Sequence, residues 1–306
     1  MATPLLRAVA EQFEKPVVLA APHLAELLEQ DSEGLEILAP GTSRSAGQVI
    51  AEAKSLRQMR FNAVLLVNRS FRTALIAWLA GIPQRIGHAT EGRGLFLTKR
   101  IVYGRTEHEG ISYGNLALPL GVSRDFTHVH LTTTAKEREE GRNLLQGATI
   151  GIQPGASYFT KQLPLETLVR VVRTFQDEGR TVAAFGGREE APHSLALQDR
   201  LSQPLVNLVG KTSIRQTLGA AANLDVLLAP SSGMMHMGVA VGCPTVAVFG
   251  PDPAAKWGHS FGPHRAIQIP SGRMEDLNVD EVLEAMRRAL SFRSGGESLS
   301  LPNESG

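Results

Sequence analysis

The sequence predicts an α/β protein made of two doubly wound, parallel-sheet domains in series. Three observations predict it. Short apolar runs alternate with amphipathic helical patterns along most of the chain. That alternation is interrupted once, at a charged, helix-forming stretch over 135–147, and then resumes. The segment 225–252 reads strand, tight turn, helix, turn, strand, which is half of a doubly wound sheet. With 306 residues, 42% hydrophobic and 20% charged, the chain can bury two cores of ordinary size. The spacing sets the domains at 1–140 and 147–292, with a polar, Gly/Ser-rich disordered tail over 293–306.

The first half opens on a helix. Thr3 caps it, Pro4 takes its first position, and Leu5, Leu6, Val9 and Phe13 share one face. Strands follow at 16–20, 35–38 and 62–67, with helices at 22–29, 47–59 and 71–80. Two more short strands, 85–88 and 100–103, flank a glycine-rich loop over 87–97 that reads as a lid. A doubly wound sheet begins with its central strand. Here that strand is not the first element.

The second half starts with a strand at 148–153. A helix follows over 164–178 with Pro164 as its first residue, then a strand at 181–185 closed by Gly186-Gly187. A helix (189–201), a strand (205–209) and a helix (213–222) come next. The apolar run 226–228 is broken by Pro230-Ser231-Ser232-Gly233, and Ser231 or Ser232 caps the helix carrying Met234, Met237 and Val241. Gly242 ends that helix and Pro244 blocks its continuation, so 245–249 is the next buried strand. A last strand (266–269) and an amphipathic helix (279–290) complete the pattern. The helix after Gly233 therefore points its N-terminus out of the carboxyl ends of the strands, where such sheets bind phosphate.

Composition removes several classes of function. A net charge of +1 gives no bulk attraction to nucleic acid. The one cysteine, Cys243, forms no internal disulfide and suits a reducing cytoplasm. No apolar run reaches the length of a membrane span. There is no Gly-x-Gly-x-x-Gly after an opening strand, which argues against a nicotinamide oxidoreductase. Gly210-Lys211-Thr212-Ser213 lacks the upstream glycine of a Walker A loop. There is no Asp-x-Asp for a diphosphate-bound metal.

Ser231-Ser232-Gly233-Met234-Met235-His236 opening a helix, followed by Gly242-Cys243-Pro244-Thr245-Val246-Ala247-Val248-Phe249-Gly250-Pro251, resembles the donor-site signature of glycosyltransferase family 9. These are the ADP-heptose:lipopolysaccharide heptosyltransferases. The family's turn reads Asp-Ser/Thr-Gly-x-x-His, so Ser231 stands where an Asp is expected. Gly210-Lys211-Thr212-Ser213 is similar to another family turn. Pro154-Gly155-Ala156, with Lys161-Gln162-Leu163-Pro164 after it, resembles Pro-Gly-Ala followed by Lys-x-Trp-Pro, Leu163 replacing the Trp.

The resemblance implies a GT-B-like fold, two Rossmann-like domains facing each other across a cleft, with the donor in the C-terminal half. It implies inverting, metal-independent transfer of heptose from ADP-heptose, or a related nucleotide sugar, without a cofactor. The acceptor would be a lipid-linked core oligosaccharide at the inner face of the cytoplasmic membrane, so peripheral membrane contact is expected. The phosphates would meet Lys161, Ser157, Thr160 and the backbone N–H groups of Ser232 and Gly233, with Ser231 and His236 also on the donor. Ribose would fall to Glu189 or Glu190, and adenine to the turn with Lys211 and Thr212. Arg69, Arg72 and Arg93, from a basic cluster in the first half, would face the anionic acceptor. Each has a plainer reading: a solvated lysine or arginine, a helix cap, or a packed histidine.

The family's catalytic base is an Asp in a Gly-Asp turn after the first strand. The chain carries no residue matching it, and roughly 15 residues of strand and turn would lie upstream of Met1. A second reading is a catalytically silent nucleotide-sugar binder or scaffold, favoured by that unmatched base and by Ser231.

Overall fold

Apolar residues at successive positions make strands that are buried on both faces, and helices must then cover each face. The chain does this twice. A computed structural model describes residues 1–39, 45–156 and 158–294. They form two compact units, Met1–Val129 and one beginning at His130.

The first unit contains α1 (Thr3–Gln12), β1 (Val17–Leu19), α2 (Pro22–Leu27), β2 (Glu36–Leu38) and α3 (Ala46–Gln58). It continues with β3 (Ala63–Leu66), α4 (Phe71–Leu79), β4 (Gln84–His88), β5 (Lys99–Ile101) and α5 (Glu109–Gly114). Among the described residues, β1 and β2 form one parallel sheet and β3-β4-β5 another. Strands β1 and β3 are therefore each paired along one edge. Leu66 packs with α3 and α4 through Ala53, Leu56, Ala74 and Ala77, whereas Leu65 turns to Leu5, Ala8, Ala117 and Phe126. Alternation along β3 thus gives each face of the sheet its own core.

Three expectations change here. Helix α1 is capped by Ala2 with no side-chain bond, so Thr3 is its first residue and not its cap. The strand expected over 100–103 ends at Ile101, and Val102 is exposed. Helix α5 was not anticipated, because Glu-Gly-Ile-Ser-Tyr-Gly has poor helix propensity. It forms because His108 caps it and because Gly114 lets Phe126 pack closely; a Cβ there would lie 1.9 Å from the Phe126 ring.

The second unit contains α6 (Ala135–Leu145), β6 (Ile150–Ile152), α7 (Leu165–Asp177), β7 (Val182–Ala184), α8 (Ala191–Gln198), β8 (Val206–Asn207) and α9 (Ile214–Ala221). It ends with β9 (Val226–Pro230), α10 (Gly233–Ala240), β10 (Thr245–Phe249), α11 (Ala254–Trp257), β11 (Arg265–Gln268) and α12 (Val279–Ser294). Six parallel strands run in the order β11-β10-β9-β6-β7-β8. One face packs Val226, Leu228, Val246 and Val248 against α7 and α12; the other packs Leu227, Ala229, Ala247 and Phe249 against α6, α9 and α10. No helix among the described residues is long and apolar enough to cross a membrane.

Four more expectations shift. The charged segment expected as a link is α6, which packs on α9 within the second unit. Pro164 is the N-cap of α7, one residue before the helix starts. Pro230 ends β9 from inside the strand, so the turn begins at Ser231. Helix α12 runs to Ser294, into the expected tail, whose residues 295–306 lie outside the described residues.

Helices α6 and α9 cross at backbone contact. A Cβ on Gly141 would lie 2.3 Å from the Gly219 carbonyl carbon, so both positions need glycine. Beside the crossing, Arg215 donates from Nε and Nη2 to the two carboxylate oxygens of Glu137, each at 2.7 Å. Glu137 also closes a capping box with Thr134. The Arg215 hydrogen bonds are the largest influence holding the Glu137 carboxyl below the usual carboxylate range. Arg215→Ala should lower the unfolding free energy by about 1.5–3 kcal/mol in urea titrations at pH 7, because it removes two charge-assisted hydrogen bonds from a carboxylate that keeps only its Thr134 partner. Glu137's folded pKa is depressed, so its contribution is present above the unfolded value and is lost as pH falls through the folded one. The gap between the two proteins should therefore shrink below about pH 4.

Candidate functional site

In the order β11-β10-β9-β6-β7-β8, successive strands run one way from β6 and the other way from β9. The β6/β9 junction is therefore the topological switch point, where the connections leave in opposite directions and open a crevice beyond the strand ends. Polar residues from five strand ends gather on this side: Gln153 and Lys161 after β6, Glu190 after β7, Lys211 after β8, Ser231 and Ser232 after β9, and Asp252 after β10.

Ser232 is the N-cap of α10, accepting from Met235 N–H, and its hydroxyl donates to Gln153 Oε1 at 2.5 Å. The Gln153 amide in turn donates to the Glu190 carboxylate at 3.2 and 3.3 Å. A continuous hydrogen-bonded line thus crosses the switch point. Gly233 adds an open approach to the helix end: a Cβ there would meet nothing within 4 Å. An uncovered N-terminus of an eight-residue helix favours an anion through its unpaired N–H groups and dipole.

Lys161 lies on a 3-10 turn, Phe159–Lys161, that precedes α7. Its Nζ is 2.6 Å from Asp252 Oδ2, and the same oxygen accepts the Ser231 hydroxyl at 2.7 Å. Ser231 therefore does have a carboxylate beside it, brought from the turn after β10. Thr160 is exposed on the Lys161 turn. Ser157 lies outside the described residues.

The structure separates the two acidic candidates. Glu189 is exposed, whereas Glu190 is 7% exposed and faces Gln153. Burial raises the Glu190 carboxyl above its ordinary value, partly offset by the Gln153 and Gly187 hydrogen bonds. Next to it, Gly186, Gly187 and Arg188 with Gly210, Lys211, Thr212 and Ser213 line an open cleft of about 430 Å³. The two turns are joined by Gly210 N–H donating to the Gly186 carbonyl at 2.9 Å. Lys211 is exposed there, while Thr212 shares a hydrogen bond with Thr217 at 2.8 Å.

His236 is half-buried, with Nδ1 3.0 Å from Nε2 of His259. It is thus one half of a histidine pair, which the spacing of the sequence did not suggest. Met234 and Met235 are core residues.

In the first unit the three arginines part company. Arg93, a candidate acceptor contact, is fully buried and donates to the carbonyls of Leu66, Asn68 and His88. It satisfies strand-end acceptors of β3 and β4, so a ligand role is corrected to a structural one. The same bonds pin the loop expected to be a lid, whose residues Arg93–Phe96 form a 3-10 turn. Arg72 pairs with Glu52 at 2.8 Å. Arg69, 35% exposed, lies 4.3 Å from the Tyr103 ring and 3.6 Å from the buried carboxylate of Glu109.

Gln153, Asp252 and His259 escaped the sequence reading. A usable signal existed for the first two, since each is a polar residue just beyond an apolar strand's carboxyl end. Nothing local marked His259.

Parallel strands with helices on both faces and an open helix end at the switch point make the second unit a doubly wound α/β domain. The fold matches that of GT-B heptosyltransferases. A glycosyltransferase family 9 structure from Veillonella parvula superposes with a TM-score of 0.83 at 19% identity, covering 95% of this chain and 92% of that one. The Escherichia coli ADP-heptose lipopolysaccharide heptosyltransferase II superposes with a TM-score of 0.81 at 22% identity, covering 96% and 95%. Residues 49–278 match glycosyltransferase family 9 (heptosyltransferase), and the chain belongs to that family. It is similar to lipooligosaccharide heptosyltransferase 2 of Haemophilus influenzae, 26% identical over 262 residues, 79% of this chain and 73% of the relative.

Two outcomes test these placements. Arg93→Met should destabilise the first unit by roughly 1–3 kcal/mol for each carbonyl left without a donor, read by urea unfolding. Glu190→Gln should raise the melting temperature relative to the unsubstituted protein as pH increases from 4 to 7. The raised folded pKa means that Glu190's stabilising contribution is present below the unfolded value and is lost as pH rises through the folded one.

Proposed function

We propose that the protein is an inverting, metal-independent heptosyltransferase, taking heptose from ADP-heptose to a lipid-linked lipopolysaccharide inner core. The observation that carries the reading is the switch-point constellation: Lys161, the open end of α10 at Ser232 and Gly233, and the Gln153–Glu190 line. The E. coli structure is described as an ADP-heptose enzyme, which supplies the donor in this reading. In inverting transfer the acceptor hydroxyl attacks the anomeric carbon, gives up its proton to a general base, and the nucleoside diphosphate leaves. The departing negative charge would be met by the N–H groups of α10 and by the Lys161 ammonium, which favour the transition state as that charge grows. Glu190 would accept ribose hydroxyls, and the cleft lined by Lys211 and Thr212 would hold the adenine. Ser157, Thr160, Ser231 and His236 would complete the donor contacts.

Arg69 and Arg72 are the contacts we assign to an anionic acceptor, both about one-third exposed, at 35% and 31%. The acceptor's lipid places the work at the inner face of the cytoplasmic membrane. A second reading is a catalytically silent nucleotide-sugar binder, which Ser231 in the family's Asp position favours.

Calorimetric titration of ADP and ADP-heptose, followed by a transfer assay, tests the proposal. Both nucleotides should bind, and Lys161→Met should weaken ADP by about 10–100-fold, the cost of one charge-assisted contact. Binding without any sugar transfer would favour the silent reading. No ADP binding at all would end the donor-site assignment.

A further inference from the structure

We propose that Asp252 is a resident counter-anion that an incoming nucleoside diphosphate must displace from Lys161, so that it sets how tightly the nucleotide is held and how quickly it leaves. The inference rests on the donor-site reading above and adds a residue that the reading did not include.

One carboxylate oxygen, Asp252 Oδ2, takes both the Lys161 ammonium at 2.6 Å and the Ser231 hydroxyl at 2.7 Å. Lys161 and Asp252 are each about three-quarters buried, with exposures of 23% and 24%. The three residues reach this point from different strand ends, after β6, β9 and β10, so their meeting is a product of the sheet order. The helix end beside them attracts anions. A carboxylate at the same place opposes them, and it does so while occupying the nearest cation.

A diphosphate oxygen and the Asp252 carboxylate cannot both be close partners of Lys161 without two anions lying side by side, partly shielded from water. Entry of the diphosphate therefore exchanges one anion for another on Lys161. Ser231 gives the released carboxylate a hydrogen bond to keep, which holds it ready to return. When the diphosphate departs, Asp252 reclaims the ammonium and assists release. The geometry thus trades nucleotide affinity for exchange.

The test uses the whole protein, with ADP and adenosine as probes, in the unsubstituted form, Asp252→Asn, Lys161→Met and the double variant. Asp252→Asn keeps an acceptor for Ser231 and removes the charge. It should tighten ADP by about tenfold at low salt, the scale of one like-charge contact removed. ADP dissociation, followed by displacement of a fluorescent ADP analogue, should slow by a similar factor, while adenosine binding stays the same. The gain should vanish in the Lys161→Met background. Equal or weaker ADP binding by Asp252→Asn overturns the proposal, because Asp252 then only props Lys161 in place. A gain that persists without Lys161 overturns it too, since the effect is then a general field. If the unsubstituted protein binds no ADP, the donor-site reading fails and takes this one with it. Asp252→Ser, which also keeps a hydroxyl for Ser231, is read the same way if the Asn variant does not melt like the parent.

Discussion

The parallel pairing of β6 with β9, Ile150 beside Val226 and Ile152 beside Leu228, is the constraint on which the second unit's chemistry depends. Two strands separated by more than seventy residues become neighbours, and their connections must leave on opposite sides. The crevice that results is where Gln153 meets Ser232. A one-residue slip of either strand in this register would turn its side chains to the wrong faces and uncouple that bond. The ladder continues one step past β6, with Gln153 N–H donating to the Leu228 carbonyl at 2.8 Å, so the backbone that carries the site is held by the sheet itself.

The first unit solves a different problem at its strand ends. There Arg93 is turned inward and its guanidinium serves the carbonyls of Leu66, Asn68 and His88. Burying a guanidinium is costly unless its donors are used, and three carbonyl partners offset much of that cost. The two units therefore use charge in opposite ways at comparable places in their sheets. One buries a cation among neutral backbone acceptors, and the other sets a lysine against a carboxylate beside an open helix end.

Carboxylates temper the second site. Glu190 is buried against Gln153 and pushed above its ordinary pKa, and Asp252 sits on Lys161. A site built only of donors would bind a diphosphate strongly but release it slowly. Under the proposed donor role, each acid must be neutralised, satisfied or displaced as a ligand arrives.

Much of this was legible in the chain alone. The doubly wound α/β class followed from alternating apolar runs, and helix α10 with a serine cap, Ser231 or Ser232, followed from Pro-Ser-Ser-Gly before an apolar face, because caps and buried strands are encoded by residues close in sequence. The resemblance to glycosyltransferase family 9 likewise lay in short contiguous motifs, such as Ser231-Ser232-Gly233-Met234-Met235-His236. What the chain alone left open involves residues far apart. The choice of Glu190 over Glu189 depended on which of them faces Gln153, some 37 positions away. The pairing of Lys161 with Asp252, the burial of Arg93 and the contact of His236 with His259 all arise where separate strand ends or loops converge. Local sequence determines which elements form and how they are capped. Only the strand order, set by the burial of both sheet faces at once, decides which of their polar ends meet.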